Sequence, residues 1–237
     1  MSISHDESGW DTSAKAWINA LGDSGDFGRI HVLDAPMMAR VRKGNFERAL
    51  DVGCGEGRFC RMLREEGIEA IGIEPTRALR EAAQDRDSEG CYIDATAESI
   101  PFPEGSFDLV VSYLSLIDIE GLEDGIGEMA RVLRPGGSLL IANLNSFNTA
   151  GGWKRPEGER PYFEIDNYLD ERPIWLAWGG IAIRNWHRPL STYMRVLLAN
   201  GLRLVHYDEP RPSGGDPEKA ARYARSPYFN IMEWEKV

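Results

Sequence analysis

The 237 residues contain few cysteines, few histidines and no surplus of positive charge. The three cysteines, Cys54, Cys60 and Cys91, are odd in number and lack paired spacing, which fits reduced thiols in a cytoplasmic protein. No run approaches the roughly 18 consecutive apolar residues that a membrane helix needs. The opening MSISHDESGWDTSAK has neither the basic nor the apolar region of a secretory leader. Lysine and arginine number 27 against 38 aspartates and glutamates, a net charge of −11. Phosphate backbones are held by clustered cations, so a nucleic-acid partner is not expected. Repeats and low-complexity tracts are missing, as is any His/Asp/Glu cluster at ligand spacing, so no metal is expected. What remains is an ordinary globular composition, 42% hydrophobic, in a chain long enough to bury a sizeable core.

Residues 1–45 are polar with scattered aromatics and predict two short helices, Ala14–Leu21 and Pro36–Arg42, separated by a loop at SGDFG. From Ala49 short apolar runs alternate with helical patterns: ALDV, a helix over RFCRMLREE stopped by Gly67, AIGIE, a helix from Thr76, CYID and FDLVVSYL. A helix Leu122–Leu133 with Ile126, Met129, Ala130 and Leu133 on one stripe then turns through Pro135-Gly136-Gly137 into SLLIANL. This alternation predicts right-handed βαβ units and a mostly parallel sheet, an α/β fold. After Asn145 the rhythm breaks into a stretch rich in Pro, Gly, aromatics and charge that reads as an inserted cap. Regularity returns with GGIAIRNW, a helix Thr192–Asn200 capped by Ser191 and stopped by Gly201, and the strand LRLVHYD. The tail from Pro210 reads as loop, with PYFNIMEW a candidate edge strand. The expected divisions are an N-terminal helical cap segment (1–45), a core (46–145), the inserted cap (146–178) and a completion of the sheet with its tail (179–237).

Asp51-Val-Gly53-Cys54-Gly55-Glu-Gly57 follows a strand and precedes a helix. Glycines there let the backbone turn tightly and bring free helix N–H groups up to a ligand. A dinucleotide fingerprint would place its third glycine one residue later, where Arg58 stands. Asp51, a carboxylate just ahead of the turn, suits a ligand bearing an ammonium group better than one bearing phosphates. Glu74 ends the second strand, where it can grip two adjacent ribose hydroxyls. Glycines after a strand can also be a plain turn, but the joint pattern at βαβ spacing favours nucleoside binding.

These residues resemble the class I S-adenosylmethionine (SAM)-dependent methyltransferases. ALDVGCGEGRF is similar to the family's glycine motif, IGIEP to its ribose-binding strand end, TAESIPFPEGSFDLVVS to the segment passing the adenine, and EMARVLRPGG to the helix and turn before the fifth strand. The similarity runs in order over about residues 46–145 and extends to the small-molecule branch that includes the quinone-biosynthesis methyltransferases. It implies a Rossmann-like doubly wound, seven-stranded sheet of order 3-2-1-4-5-7-6 with the last strand antiparallel. It further implies that Asp51 and the Gly53, Cys54, Gly55, Gly57 and Arg58 turn hold the methionine moiety of SAM, and that Glu74 takes the ribose. Pro75, Thr96, Ala97 and Glu98 would surround the adenine, with Thr96 standing where many relatives carry Asp. Ser112 and Tyr113 would end the fourth strand beside the sulfonium, Tyr113 offering its ring or hydroxyl, although a core role suits it equally.

The fourth strand ends in Val111-Ser112-Tyr113-Leu114, not in the motif of enzymes that methylate nucleic-acid bases, so a small-molecule acceptor is expected. Trp17, Arg29, Tyr162, Phe163, Tyr168, Trp186 and Arg188 are candidate lining residues, with simple packing of the cap as the alternative for each aromatic. His187, before the Pro189 turn, is the candidate general base, with a backbone-capping role as its alternative. His206 reads as structural, and His5 and His31 carry no case. The expected function is in-line transfer of a methyl group from SAM to a small molecule, in the cytoplasm, by a monomer or homodimer. A non-catalytic SAM-binding or regulatory module is the second reading. A nicotinamide oxidoreductase is disfavoured by the early third glycine and by Asp51.

Overall fold

The computed structural model describes residues 8–237, so His5 lies outside the described residues. Helix α1 (Trp10–Leu21) is followed by a π-helical turn (Arg29–Leu33) that runs directly into α2 (Asp34–Lys43). The alternating core is β1 (Arg48–Val52), α3 (Arg58–Glu65), β2 (Glu69–Ile73), α4 (Arg77–Arg86), β3 (Cys91–Ile93), β4 (Phe107–Tyr113), α5 (Leu122–Val132) and β5 (Leu133–Leu144). Next come α6 (Ser146–Thr149), β6 (Gly151–Lys154), β7 (Tyr162–Ile165), β8 (Arg172–Trp178) and β9 (Ile181–His187). The chain finishes with α7 (Leu190–Ala199), β10 (Leu202–Asp208), α8 (Pro217–Arg225) and β11 (Phe229–Lys236).

Seven strands form one sheet in the order β10-β11-β5-β4-β1-β2-β3. The pairs β1–β2, β1–β4, β2–β3 and β4–β5 are parallel, and β11 runs antiparallel to both β5 and β10. Numbered within the sheet, this is the expected 3-2-1-4-5-7-6 order of a doubly wound Rossmann-like fold. All seven residues of β4 are buried because helices cover both faces of the sheet, so an unbroken apolar run is the stable pattern. Leu50, Val110, Leu139 and Ile141 face α5 and α7 through Ile126, Met129, Val196 and Leu197. Their sequence neighbours Ala49, Leu109, Val111 and Leu140 face α2 and α3 through Met37, Met38, Phe59 and Leu63. Side chains alternate across a strand, so one short run of sequence builds two cores.

Several local expectations change. α1 starts at Trp10 rather than Ala14, and SGDFG is only half loop. The carboxylate of Asp26 accepts the Arg29 N–H at 2.9 Å and starts the helical run, and Val32 and Leu33 then extend the buried stripe of α2 backwards. Ser191 lies inside α7, which begins at Leu190 after Pro189, and makes no side-chain cap bond. Asp216 instead caps an unanticipated helix, α8, accepting the Lys219 N–H at 2.8 Å with Pro217 in the first turn. The expected edge strand in the tail, β11, sits between β5 and β10 with Trp234 fully buried, which leaves β10 at the edge. GGIAIRNW does not complete the sheet. β9 pairs antiparallel with β8 in a separate hairpin, and the division expected at 178/179 falls in its Gly179-Gly180 turn. A second hairpin, β6–β7, completes the insertion.

The β8–β9 hairpin and α1 meet over the C-terminal ends of the parallel strands, where open α/β sheets bind ligands. Ser13 joins them: its hydroxyl donates to the Ala182 carbonyl at 3.0 Å and accepts the Ala182 N–H at 2.9 Å. Trp17 packs edge-on against both Trp10 and Trp178 at the same junction.

Candidate active site

β1 delivers Asp51 to the head of the glycine turn, and the turn is pinned by its neighbours. Gly53 and Cys54 both donate their N–H groups to the Ile73 carbonyl of β2, at 2.9 and 3.1 Å. Gly53 has φ +71°, and a Cβ there would stand 2.6 Å from the Ser115 Cβ, so only glycine lets the turn press against the loop after β4. At Gly55 the same position opens into empty space.

Asp51 is 1% exposed. Its Oδ2 accepts a long 3.5 Å hydrogen bond from the Cys60 thiol, whereas its buried Oδ1 has no partner in the protein. Burial pushes its pKa up to about 7, and the nearby Glu74 and Glu56 carboxylates add to the rise. A buried carboxylate oxygen without a donor calls for a cationic donor from a ligand. Glu74 accepts the Gly55 N–H at 3.0 Å with one oxygen and the Thr76 N–H at 2.8 Å with the other. Burial raises its pKa while those two N–H groups oppose the rise. Each oxygen keeps a lone pair for a further donor, so the group can take two adjacent hydroxyls.

These residues open into a cavity of about 690 Å³. Gly53, Cys54, Gly55, Arg58, Pro75, Thr96, Ala97, Glu98 and Tyr113 line it with Asp51 and Glu74, and Trp17 and Arg29 line it from the N-terminal side. Glu98 also accepts the Gly121 N–H at 3.1 Å, which ties the adenine-side segment to the start of α5. Arg58 grips Asp34 through both terminal nitrogens, and the Tyr113 hydroxyl donates to the same carboxylate at 2.7 Å. Burial and the neighbouring Asp34 charge hold the Tyr113 phenol neutral far above its ordinary range. Its ring stacks on Phe59 and lines the cavity, while its oxygen is committed to Asp34. Arg29 lies over both the Trp17 and Tyr113 rings, at 5.2 and 5.8 Å, and pairs with Asp26 at 3.0 Å.

Other expected site residues lie away from the cavity. Gly57 has φ +76°, and a Cβ there would strike the Tyr92 ring, so its glycine serves packing. Ser112 is buried beneath the site and shares a 2.8 Å hydrogen bond with Ser115. Tyr162 is an exposed hairpin residue, and Phe163 packs edge-on with Phe147 and Trp153. The Tyr168 hydroxyl accepts the Leu190 N–H at 3.1 Å. Trp186 is flanked by the Arg184 and Arg188 guanidinium groups, and Arg188 donates to the Ile119 and Glu120 carbonyls, holding the loop after β4.

His187, the expected general base, is fully buried and does not line the cavity. Its Nε2 donates to the Tyr168 carbonyl at 2.8 Å, and its Nδ1 meets the Thr149 hydroxyl at 2.6 Å. Burial lowers its pKa and keeps the ring neutral. It ties Thr149, near the start of the insertion, and the turn at Tyr168 to the end of β9.

Sequence reading missed Trp10, Trp178, Asp118, Asn185, Tyr228 and Phe229, all of which line the cavity. Asp118 had a readable signal in its position just beyond a parallel strand. The others come from α1, β8, β9 and the tail, whose placement no local pattern fixes.

The fold and the cradle suit a nucleoside ligand that carries a cation and a vicinal diol. A family described as "Methyltransferase domain" matches residues 50–141. A malonyl-[acyl-carrier protein] O-methyltransferase of Enterobacter lignolyticus is 33% identical over 188 residues, covering 75% of this chain and 72% of that protein. A ubiquinone/menaquinone biosynthesis C-methyltransferase, UbiE, of Francisella tularensis subsp. novicida is 29% identical over 144 residues, 56% of this chain and 57% of that one. The crystal structure of a SAM-dependent methyltransferase from Mesorhizobium loti superposes with a TM-score of 0.75 at 26% identity, covering 90% of this chain and 100% of that one. This chain belongs to the class I SAM-dependent methyltransferases, in their small-molecule branch, and SAM is its methyl donor.

Proposed function

We propose that the protein moves a methyl group from SAM to a small molecule by in-line displacement, the acceptor lying between the glycine turn and the α1/β8–β9 roof. The observation that carries this reading is one continuous cavity. It runs from Asp51 and Glu74 past the Tyr113 ring to the aromatic roof of Trp10, Trp17 and Trp178. SAM supplies an activated methyl group, so the protein's task is alignment and exclusion of water. The unpartnered Asp51 oxygen takes the ammonium group, Glu74 the ribose hydroxyls, and Pro75, Leu79 and Ala97 the flat face of the base. The Tyr113 ring faces the cationic sulfur, and the roof confines the acceptor opposite it. Arg29, held between two aromatic faces, favours an acceptor with an anionic or electron-rich group.

Calorimetric titration with S-adenosylhomocysteine (SAH), with NADH as control, tests the donor site. A screen of small acceptors with methyl-labelled SAM follows. Micromolar SAH binding without NADH binding, and label appearing in a small acceptor, is the expected result. Absence of SAH binding by the folded protein removes the proposal.

A further inference from the structure

With His187 outside the cavity and the Tyr113 hydroxyl committed to Asp34, the remaining acidic groups of the cavity can be sorted by their partners. Asp51 and Glu74 serve the donor site. Asp26 pairs with Arg29, Glu56 with Arg61 and Arg86 at 2.7 and 2.6 Å, Glu120 with Arg184 at 2.6 Å, and Glu98 holds the Gly121 N–H. Asp118 is left. It stands in the loop after β4, on the cavity wall between Ile117 and Ile119, where a turn fixes its backbone through its N–H to the Ser115 carbonyl at 2.9 Å.

Its carboxyl is held by two neutral donors. The Asn185 amide donates to Oδ1 at 2.5 Å, and the Trp10 indole also bonds to the group. Asn185 belongs to β9 and Trp10 to α1, the elements that roof the cavity, so the carboxyl is positioned only when the roof is seated. Two accepted hydrogen bonds leave a carboxylate with further lone pairs. A strut between an amide and an indole would be cheaper to build from a neutral side chain, because a half-buried carboxyl without a cation costs free energy.

We propose that Asp118 is the group that receives the acceptor's proton, and that the acceptor is a planar molecule with a hydroxyl directed at this carboxyl. The assignment rests on the methyl-transfer reading above. In the step, the acceptor oxygen gives a lone pair to the methyl carbon and the carbon–sulfur bond breaks with its electron pair kept by sulfur. The hydroxyl proton passes to the Asp118 carboxylate, and from there to solvent once the product leaves. Burial, with the Glu74 charge adding to it, raises the Asp118 pKa to about 8, against the opposing pull of Asn185, Trp10 and Arg29. A base in that range is matched to a phenolic or enolic proton near neutral pH.

The test uses the SAH-loaded protein, with 2-naphthol and its methyl ether, 2-methoxynaphthalene, as probes that differ only at the hydroxyl. 2-Naphthol should bind about tenfold more tightly than the ether near pH 8, and the preference should grow between about pH 6.5 and 8.5. In Asp118→Asn the preference should fall below about twofold and lose its pH dependence, with SAH affinity within about threefold of the parent. Asn185→Ser removes a donor that favours the ionised carboxyl, so the midpoint of the pH profile should move upward by about half a unit or more. That measurement decides the matter if Asp118→Asn no longer binds SAH. Equal binding of the two probes, no binding of 2-naphthol by SAH-loaded protein, a preference that survives Asp118→Asn, or an unmoved midpoint in Asn185→Ser overturns the assignment. Failure to bind SAH at all would instead strike the donor-site reading.

Discussion

The two halves of the cavity are built in different ways. The donor half comes from consecutive strand ends of one βαβ unit: Asp51 near the end of β1 and Gly53 just after it, and Glu74 after β2, nineteen residues from Gly55 and bonded to its N–H. The acceptor half draws on α1, the π-helical turn, the loop after β4, the β8–β9 hairpin and the tail, which are far apart in sequence. Local order determines the first half. The second exists only where separate elements are docked, as with Ser13 on Ala182 and Asn185 on Asp118. Substitutions should therefore separate the halves: changes in the donor half cost SAH affinity, and changes in the roof cost acceptor binding or stability.

The largest expected effect is at the turn itself. Gly53→Val forces a branched side chain into φ +71° and onto Ser115, and should abolish SAH binding and cost about 3 kcal/mol or more of stability, read by denaturant titration. Asp51→Ala and Glu74→Ala should each weaken SAH at least about tenfold, roughly 1.4 kcal/mol, by calorimetry. Asp51→Asn should show the same loss while raising the melting temperature of the ligand-free protein near pH 8, since a buried unpaired charge is removed. Unchanged SAH affinity in both Asp51 and Glu74 variants would erase the distinction between the halves.

A pH series sharpens it. The folded empty protein holds the Asp51 proton up to about pH 7, whereas the unfolded chain releases it near 3.8. More protons are bound by the folded state across that window, so the stability of the empty protein should fall as pH rises through it. A ligand ammonium requires the ionised carboxylate, so SAH affinity should drop by up to about tenfold between pH 7 and pH 6, and Asp51→Asn should flatten the profile. The smallest effect on SAH is expected for His187→Ala. Loss of a buried two-point latch should lower stability by about 1–3 kcal/mol and leave SAH affinity unchanged. A large change in SAH affinity there would mean that the insertion reaches into the donor half.

The difference between the halves also explains what was legible in the sequence. A strand, a glycine turn and a helix are specified by neighbours within about ten residues, and that is enough to place Asp51, Gly53 and Gly55. The order of the seven strands was open to sequence reading through the resemblance, which carries topology that periodicity alone does not. The surroundings of His187 were not legible, because a lone histidine beside a proline carries no record of whether its nitrogens meet substrate or backbone. The structure gives it the Tyr168 carbonyl and the Thr149 hydroxyl. The place of Tyr162 and Phe163 away from the cavity was not legible either, since an aromatic residue in an irregular segment packs as well on a hairpin as in a pocket.

Asp118 shows the boundary most clearly. In the sequence it is one acid among 38. Its raised pKa depends on burial by a roof made from residues more than sixty positions away in β9 and on the opposite side in α1. The sequence by itself determined the alternating apolar runs, and with them a mostly parallel α/β sheet and the donor cradle, because hydrophobic period and turn chemistry act over short range. Only the tertiary structure decided which polar groups of the cap and the N-terminal helix face the cavity. Their hydrogen-bond partners and their distance from water are set by long-range docking, which no single stretch of chain encodes.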